Sequence, residues 1–94
     1  MSTEFKIAET ETFIKKIEKS EFKTTYNKII NYVYPQLRKN PFYGPNIKKL
    51  KGEFSGVYRF CIGQYRLFYT IEINTVFVFI VNIDHRKDSY KKKK

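Results

Sequence analysis

The chain has one cysteine, one histidine, one methionine and no tryptophan. A lone Cys61 allows no disulfide within the chain and no multi-cysteine metal site. That usage fits a reducing cytoplasm. Residues 1–20 carry no apolar stretch of the signal-peptide kind, which argues against secretion by that route. The longest apolar run, Val76 to Val81, is far too short to span a bilayer. No basic amphipathic segment stands apart from the core pattern, so a membrane surface is a poor partner. Acidic residues are scarce: 9 Asp or Glu stand against 19 Lys or Arg, for a net charge of +10. That imbalance says little about fold. It points to a polyanionic partner, either nucleic acid or an acidic protein. Internal repeats and long linkers are missing too. One domain is expected over residues 1–90, followed by a basic tail, 91–94, whose four lysines repel and bury nothing.

What is present is aromatic. Nine Phe and eight Tyr supply most of the bulk for a core. The stretch Val57 to Tyr90 reads as three β-strands and a basic-aromatic end. Tyr58, Phe60 and Ile62 alternate with Arg59 and Cys61. Gly63-Gln64 is a two-residue turn of the Gly-X kind, which suits a tight hairpin. Tyr65 to Ile71 returns with the same alternation. If Ile62 faces Tyr65, then Cys61 faces Arg66 and Arg59 faces Phe68. Arg59 and Arg66 then share one face as diagonal neighbours, roughly 7–8 Å apart. Two guanidinium groups so placed can grip a phosphate. The arginine face is expected opposite the helices. Val76 to Val81 is apolar at every position, which predicts a central strand buried on both faces. It delivers Asp84, His85, Arg86, Lys87 and Tyr90 to one end of the sheet.

The earlier half reads as a short strand and a helix pair. Phe5 and Ile7 alternate within Glu4 to Ala8. Thr10 is a candidate N-cap, and Glu11 sits where the helix dipole favours negative charge. Phe13, Ile14 and Ile17 recur at helical spacing. Ser20 is a candidate cap for a second helix over about 21–38, with Phe22, Tyr26, Ile29, Ile30, Val33 and Leu37 on one stripe. Pro35 either ends that helix near Tyr32 or kinks it. Asn40 to Asn46 is a loop on its Pro and Gly signals. Lys48, Lys49 and Lys51 then gather around Ile47 and Leu50 as a generic electrostatic surface for RNA, joined by Lys87. The fold class is α+β: an N-terminal strand and a two-helix hairpin on an antiparallel sheet of about four strands.

Three motifs in this order resemble the RelE/ParE superfamily of type II toxin–antitoxin toxins, on the RelE side. They are LKG at Leu50 to Gly52, YRFCIGQYRLFY at Tyr58 to Tyr69, and HRKDSY at His85 to Tyr90. The resemblance covers nearly the whole chain. It implies a metal-independent, cofactor-free endoribonuclease that cleaves messenger RNA, usually in the ribosomal A site. Its implied partners are mRNA, ribosomal RNA and a cognate acidic antitoxin, with DNA met only through the antitoxin. The implied catalytic residues are Arg59, Arg66, His85, Arg86 and Tyr90. The chemistry needs such groups. A ribose 2′-oxygen attacks the adjacent phosphorus, cations meet the growing charge, and an acid protonates the leaving 5′-oxygen. Two positions depart from the pattern. Cys61 stands where many relatives carry a further basic residue, and Asp84 where many have glycine. Two rival readings stand beside this one: a ParE-like inhibitor of DNA gyrase, against which the HRKDSY ending argues, and a weakly active binding module on the same fold, which the two departures support.

Overall fold

The computed structural model describes residues 4–85. Arg86, Lys87, Tyr90 and the tail 91–94 lie outside the described residues, so their expected roles have no geometry here. The elements run β1 (Lys6–Glu9), α1 (Glu11–Ile17), α2 (Lys23–Lys28), α3 (Tyr34–Lys39), β2 (Ile47–Lys49), β3 (Val57–Ile62), β4 (Tyr65–Glu72) and β5 (Phe77–His85). Two helical arms, α1 and the run over 20–39, pack on a five-stranded mixed sheet. Its order is β1-β5-β4-β3-β2. β1 lies parallel to β5; the other neighbours are antiparallel.

The expected α+β architecture is present, but the sheet is mixed and not antiparallel, because β1 enters beside β5 in the same direction, and it has one strand more than the sequence pattern suggested. Ile47–Lys49 is the added strand and pairs with β3. The hairpin register is the expected one: Ile62 opposite Tyr65, Cys61 opposite Arg66, Arg59 opposite Phe68. Gly63 turns it with φ +58°, a left-handed conformation that costs glycine little.

Alternation sorts the sheet into two faces. Phe60, Leu67, Tyr69, Val78, Ile80 and Ile83 are buried against the helices. They meet Phe13 and Ile17 of α1, and Ile29, Val33 and Leu37 of the long helical run. The Tyr69 hydroxyl donates to the Pro41 carbonyl at 2.8 Å, so the loop after α3 is pinned beneath the sheet. The opposite face is open. Phe79 of β5 is 36% exposed and stacks on Phe77, with ring centroids 5.7 Å apart. This corrects the expectation of a strand buried on both sides. Only one face of β5 is roofed by helix, and its apolar sequence does not reveal that.

Pro35 does not end the second helix. A π-helical turn, Ile29–Val33, joins α2 to α3, and the Tyr34 N–H donates to the Ile29 carbonyl. Proline has no N–H to give and its ring crowds the preceding turn, so a wider turn before it lets the helix continue. The buried stripe shifts as a result. Ile30, expected inside, is 42% exposed. The N-cap of α2 is Phe22, not Ser20, and it makes no side-chain cap.

Thr10 does cap α1, accepting from the Phe13 N–H at 3.3 Å. Its hydroxyl also donates to the Ile80 carbonyl at 2.8 Å, with Val81 O 3.3 Å away. The β4–β5 register slips there: Phe68 faces Asn82 while Tyr69 faces Ile80, leaving Val81 as the extra residue of a bulge. The backbone oxygens freed where β1 stops are thus taken by the residue that starts α1. This ties α1 along the far half of β5.

Candidate functional site

The register from β2 to β5 sets the open face in rows. Lys48, Arg59, Phe68 and Asn82 form one row. Cys61, Arg66 and Asp84 form the next. Arg59 and Arg66 therefore share the face away from the helices, as the alternation predicts. Lys48 joins them. It stands directly opposite Arg59, a pairing of like charges that costs stability in a bare sheet. Among the described residues no carboxylate pairs with either cation. The Nε of Arg59 is buried without a hydrogen-bond partner.

Asp84 is 8% exposed and accepts from the Lys16 ammonium group, which α1 carries past the edge of β5. Arg66 thus lies across from a carboxylate that is itself paired with a second cation. Lys16 was not foreseen. It is 68 residues from its partner, and no local pattern marks one helix lysine among several. Only the Thr10 cap, which aligns α1 with β5, brings it there.

His85 does not join the arginine row. Its register partner is Tyr65, on the helix-facing side. The two rings meet edge to face at 5.0 Å, and Phe22 packs on Tyr65 at 5.3 Å. The lysines separate as well. Lys48 and Lys49 are consecutive in a strand and face opposite ways; Lys49 lies 6.0 Å from the Tyr58 ring. Lys51 is exposed on the loop beyond β2. The expected single lysine surface is thus divided between two faces and a loop, because Ile47–Lys49 is a strand.

A helical layer covers one side of a small mixed sheet, and Lys48, Arg59 and Arg66 stand on the bare side. The chain belongs to the family described as ParE toxin of type II toxin-antitoxin system, parDE, whose model matches residues 7–90. No curated protein sequence matches it. Solved structures do. The toxin–antitoxin complex RelBE2 from Mycobacterium tuberculosis aligns with a TM-score of 0.75 at 22% identity, over 92% of this chain and 95% of that one. The RelE–RelB complex of Pyrococcus horikoshii OT3 aligns at 0.71 and 21%, over 87% and 94%. A double mutant of the E. coli toxin RelE in the free state aligns at 0.70 and 19%, over 98% and 93%. At such identities the likeness is one of fold. Among the described residues no helix is long and apolar enough to cross a membrane.

Proposed function

We propose that this toxin is a metal-independent endoribonuclease that cleaves messenger RNA, with the ribosomal A site as its setting in the cytoplasm. The observation that carries the reading is the cationic row. Lys48 and Arg59 face each other, Arg66 is diagonal to Arg59, and all three stand on the open face. Like charges set opposite one another are poorly explained by folding and well explained by a phosphodiester that neutralises them. Arg59 and Lys48 hold the phosphate. Arg66 meets the charge that grows on the non-bridging oxygens as the 2′-oxygen attacks, at little cost in reorganisation. Arg86 and Tyr90 complete the set by the HRKDSY resemblance. His85 is packed on Tyr65 and is assigned to holding the end of β5, not to the proton transfer that the resemblance implies. Lys49, Lys51 and Lys87 add to the field that draws in RNA.

The partner that restrains the toxin is an acidic antitoxin segment on the same face. Several of the structural relatives are themselves toxin–antitoxin complexes. Contact with DNA arises through that antitoxin.

The test is purified toxin added to translating ribosomes, with new RNA 5′ ends mapped and single-turnover rates measured. Arg66→Ala is expected to cut the rate by about 10²-fold while ribosome affinity changes little. A parental rate would overturn the assignment. The name of the matched family favours a second reading, inhibition of DNA gyrase. Loss of supercoiling activity with no RNA cleavage would establish it. Silence in both assays would leave the weakly active binding module.

A further inference from the structure

A cavity of about 300 Å³ opens between the helical run and the tip of the β3–β4 hairpin. Its polar lining comes from Lys28, Tyr32 and Gln36 on the helix and Asn46 on the loop before β2. Buried Val33 and Phe60 form the floor. A second cavity of about 210 Å³ is lined by Cys61, Gly63, Tyr65 and Arg66. Both contain Cys61 and Gly63, so the two adjoin at the hairpin tip. Tyr32 lines the first cavity and Arg66 the second, with the hairpin tip between them.

Tyr32 is the unusual residue of the first cavity. It is 66% exposed, while the next residue, Val33, is 1% exposed. The π-helical turn Ile29–Val33 carries both. Such turns recur at functional sites, because the added residue re-aims a side chain that a regular helix would place elsewhere. Tyr32 is thereby left bare at the mouth of a polar cavity.

We infer that this cavity is a nucleobase subsite for single-stranded RNA, in which the Tyr32 ring stacks on a base next to the nucleotide whose phosphate lies at Arg66. A base offers a π-face and an edge with both donors and acceptors. Tyr32 supplies the first surface, and the amides of Gln36 and Asn46 supply donors and acceptors for the second. Lys28 stands where a flanking phosphate passes, and the net charge of +10 favours the polyanion throughout. An acidic peptide would use Lys28 and Arg66 but has no need of a bare aromatic ring. The location beside Arg66 rests on the RNA-cleaving reading; the stacking pocket itself does not.

The experiment uses the full chain and a short fluorescent 2′-O-methyl RNA strand, which cannot be cleaved through its 2′-oxygen. A matching strand carries abasic sites throughout. Binding is read by anisotropy for the parent, Tyr32→Ala and Tyr32→Phe, with thermal melts as a folding control. Tyr32→Ala should weaken the base-bearing strand about 10-fold, Tyr32→Phe should bind like the parent, and all three should bind the abasic strand equally. Equal binding of the base-bearing strand by parent and Tyr32→Ala overturns the proposal. So does an equal loss on both strands. A Tyr32→Ala loss seen only for an acidic peptide competitor also overturns it and assigns the cavity to a protein partner. If the ribosome assay shows no cleavage but the Tyr32 effect holds, the pocket stands and the catalytic reading falls. If cleavage is present without the Tyr32 effect, the pocket falls alone.

Discussion

Lys48 and Arg59 face each other across β2 and β3, and that single pairing separates stability from function. Removing Lys48 relieves a like-charge contact, so Lys48→Ala should leave unfolding free energy within about 0.5 kcal/mol of the parent, or slightly above it. RNA affinity should fall nonetheless. If one phosphate contact to a single strand is lost, the log–log salt slope of binding drops by about 0.7. Urea melts and salt titrations together check both halves; reduced stability with an unchanged slope would make Lys48 structural. A second residue, Glu9, carries the opposite balance. Its Oε2 accepts from the hydroxyls of Tyr26 at 2.8 Å and Tyr34 at 2.7 Å, tying β1 to the helical run. Glu9→Gln replaces an ionised acceptor by a neutral one. It should cost about 1–3 kcal/mol in chemical denaturation and leave RNA binding as it was. His85→Gln tests the division of labour. Because the ring faces Tyr65, the variant should keep the shape of the pH–rate profile and lose some rate. Loss of the alkaline limb would return the role of general acid to His85.

Among elements, the β3–β4 hairpin was legible because two independent local signals agreed. Alternation set the faces, and Gly63-Gln64 set the register; together they placed Arg59 and Arg66 on one side. The Thr10 cap was legible for the same reason, being local. What escaped was decided at a distance. β2 is three residues long and two of them are lysines, so nothing in it resembles a strand until β3 pairs with it. That omission hid the place of Lys48 opposite Arg59 and merged three lysines that lie apart. β5 is apolar throughout, yet its burial depends on which face the helices cover. The π-turn answers Pro35, but its effect on the stripe of Ile29, Ile30 and Val33 follows from a change in helical phase that a regular period does not contain. The helical run still contributes most of the roof. Leu37 and Ile29 are fully buried, so Leu37→Ala should cost about 2–5 kcal/mol, against little for Ile30→Ala on the exposed side. Similar losses at both positions would mean that the helix is phased differently.

The whole molecule joins a cationic open face to a core that holds the Tyr34 and Tyr69 phenols, with Tyr26 packed against it, and its response to alkali follows from these hydroxyls. Burial is the first cause that raises the hydroxyl pKa of Tyr34, and hydrogen bonding to Glu9 and its charge add to it. The same causes in the same order push Tyr26 up to about 12. Burial also raises Tyr69, with a smaller effect from Tyr58. A raised phenol keeps its proton in the folded state after the unfolded chain has released it. The stability from these groups is therefore complete below pH 10, the ordinary tyrosine value, and is lost as pH rises from there through the folded values. For one such group the slope is about 1.4 kcal/mol per pH unit once the unfolded chain has lost its proton. The parent curve alone does not isolate a single tyrosine. The comparison with Tyr34→Phe does. The variant lacks one raised phenol and keeps the other two, so its stability should fall less steeply above pH 10, with a difference approaching that slope. Urea denaturation at closely spaced pH values from 8 to 12 measures it. Parallel curves for the two proteins would mean that the Tyr34 phenol is neither buried nor held by Glu9 in solution, which leaves the Tyr26 hydroxyl as the bond between Glu9 and the helical run.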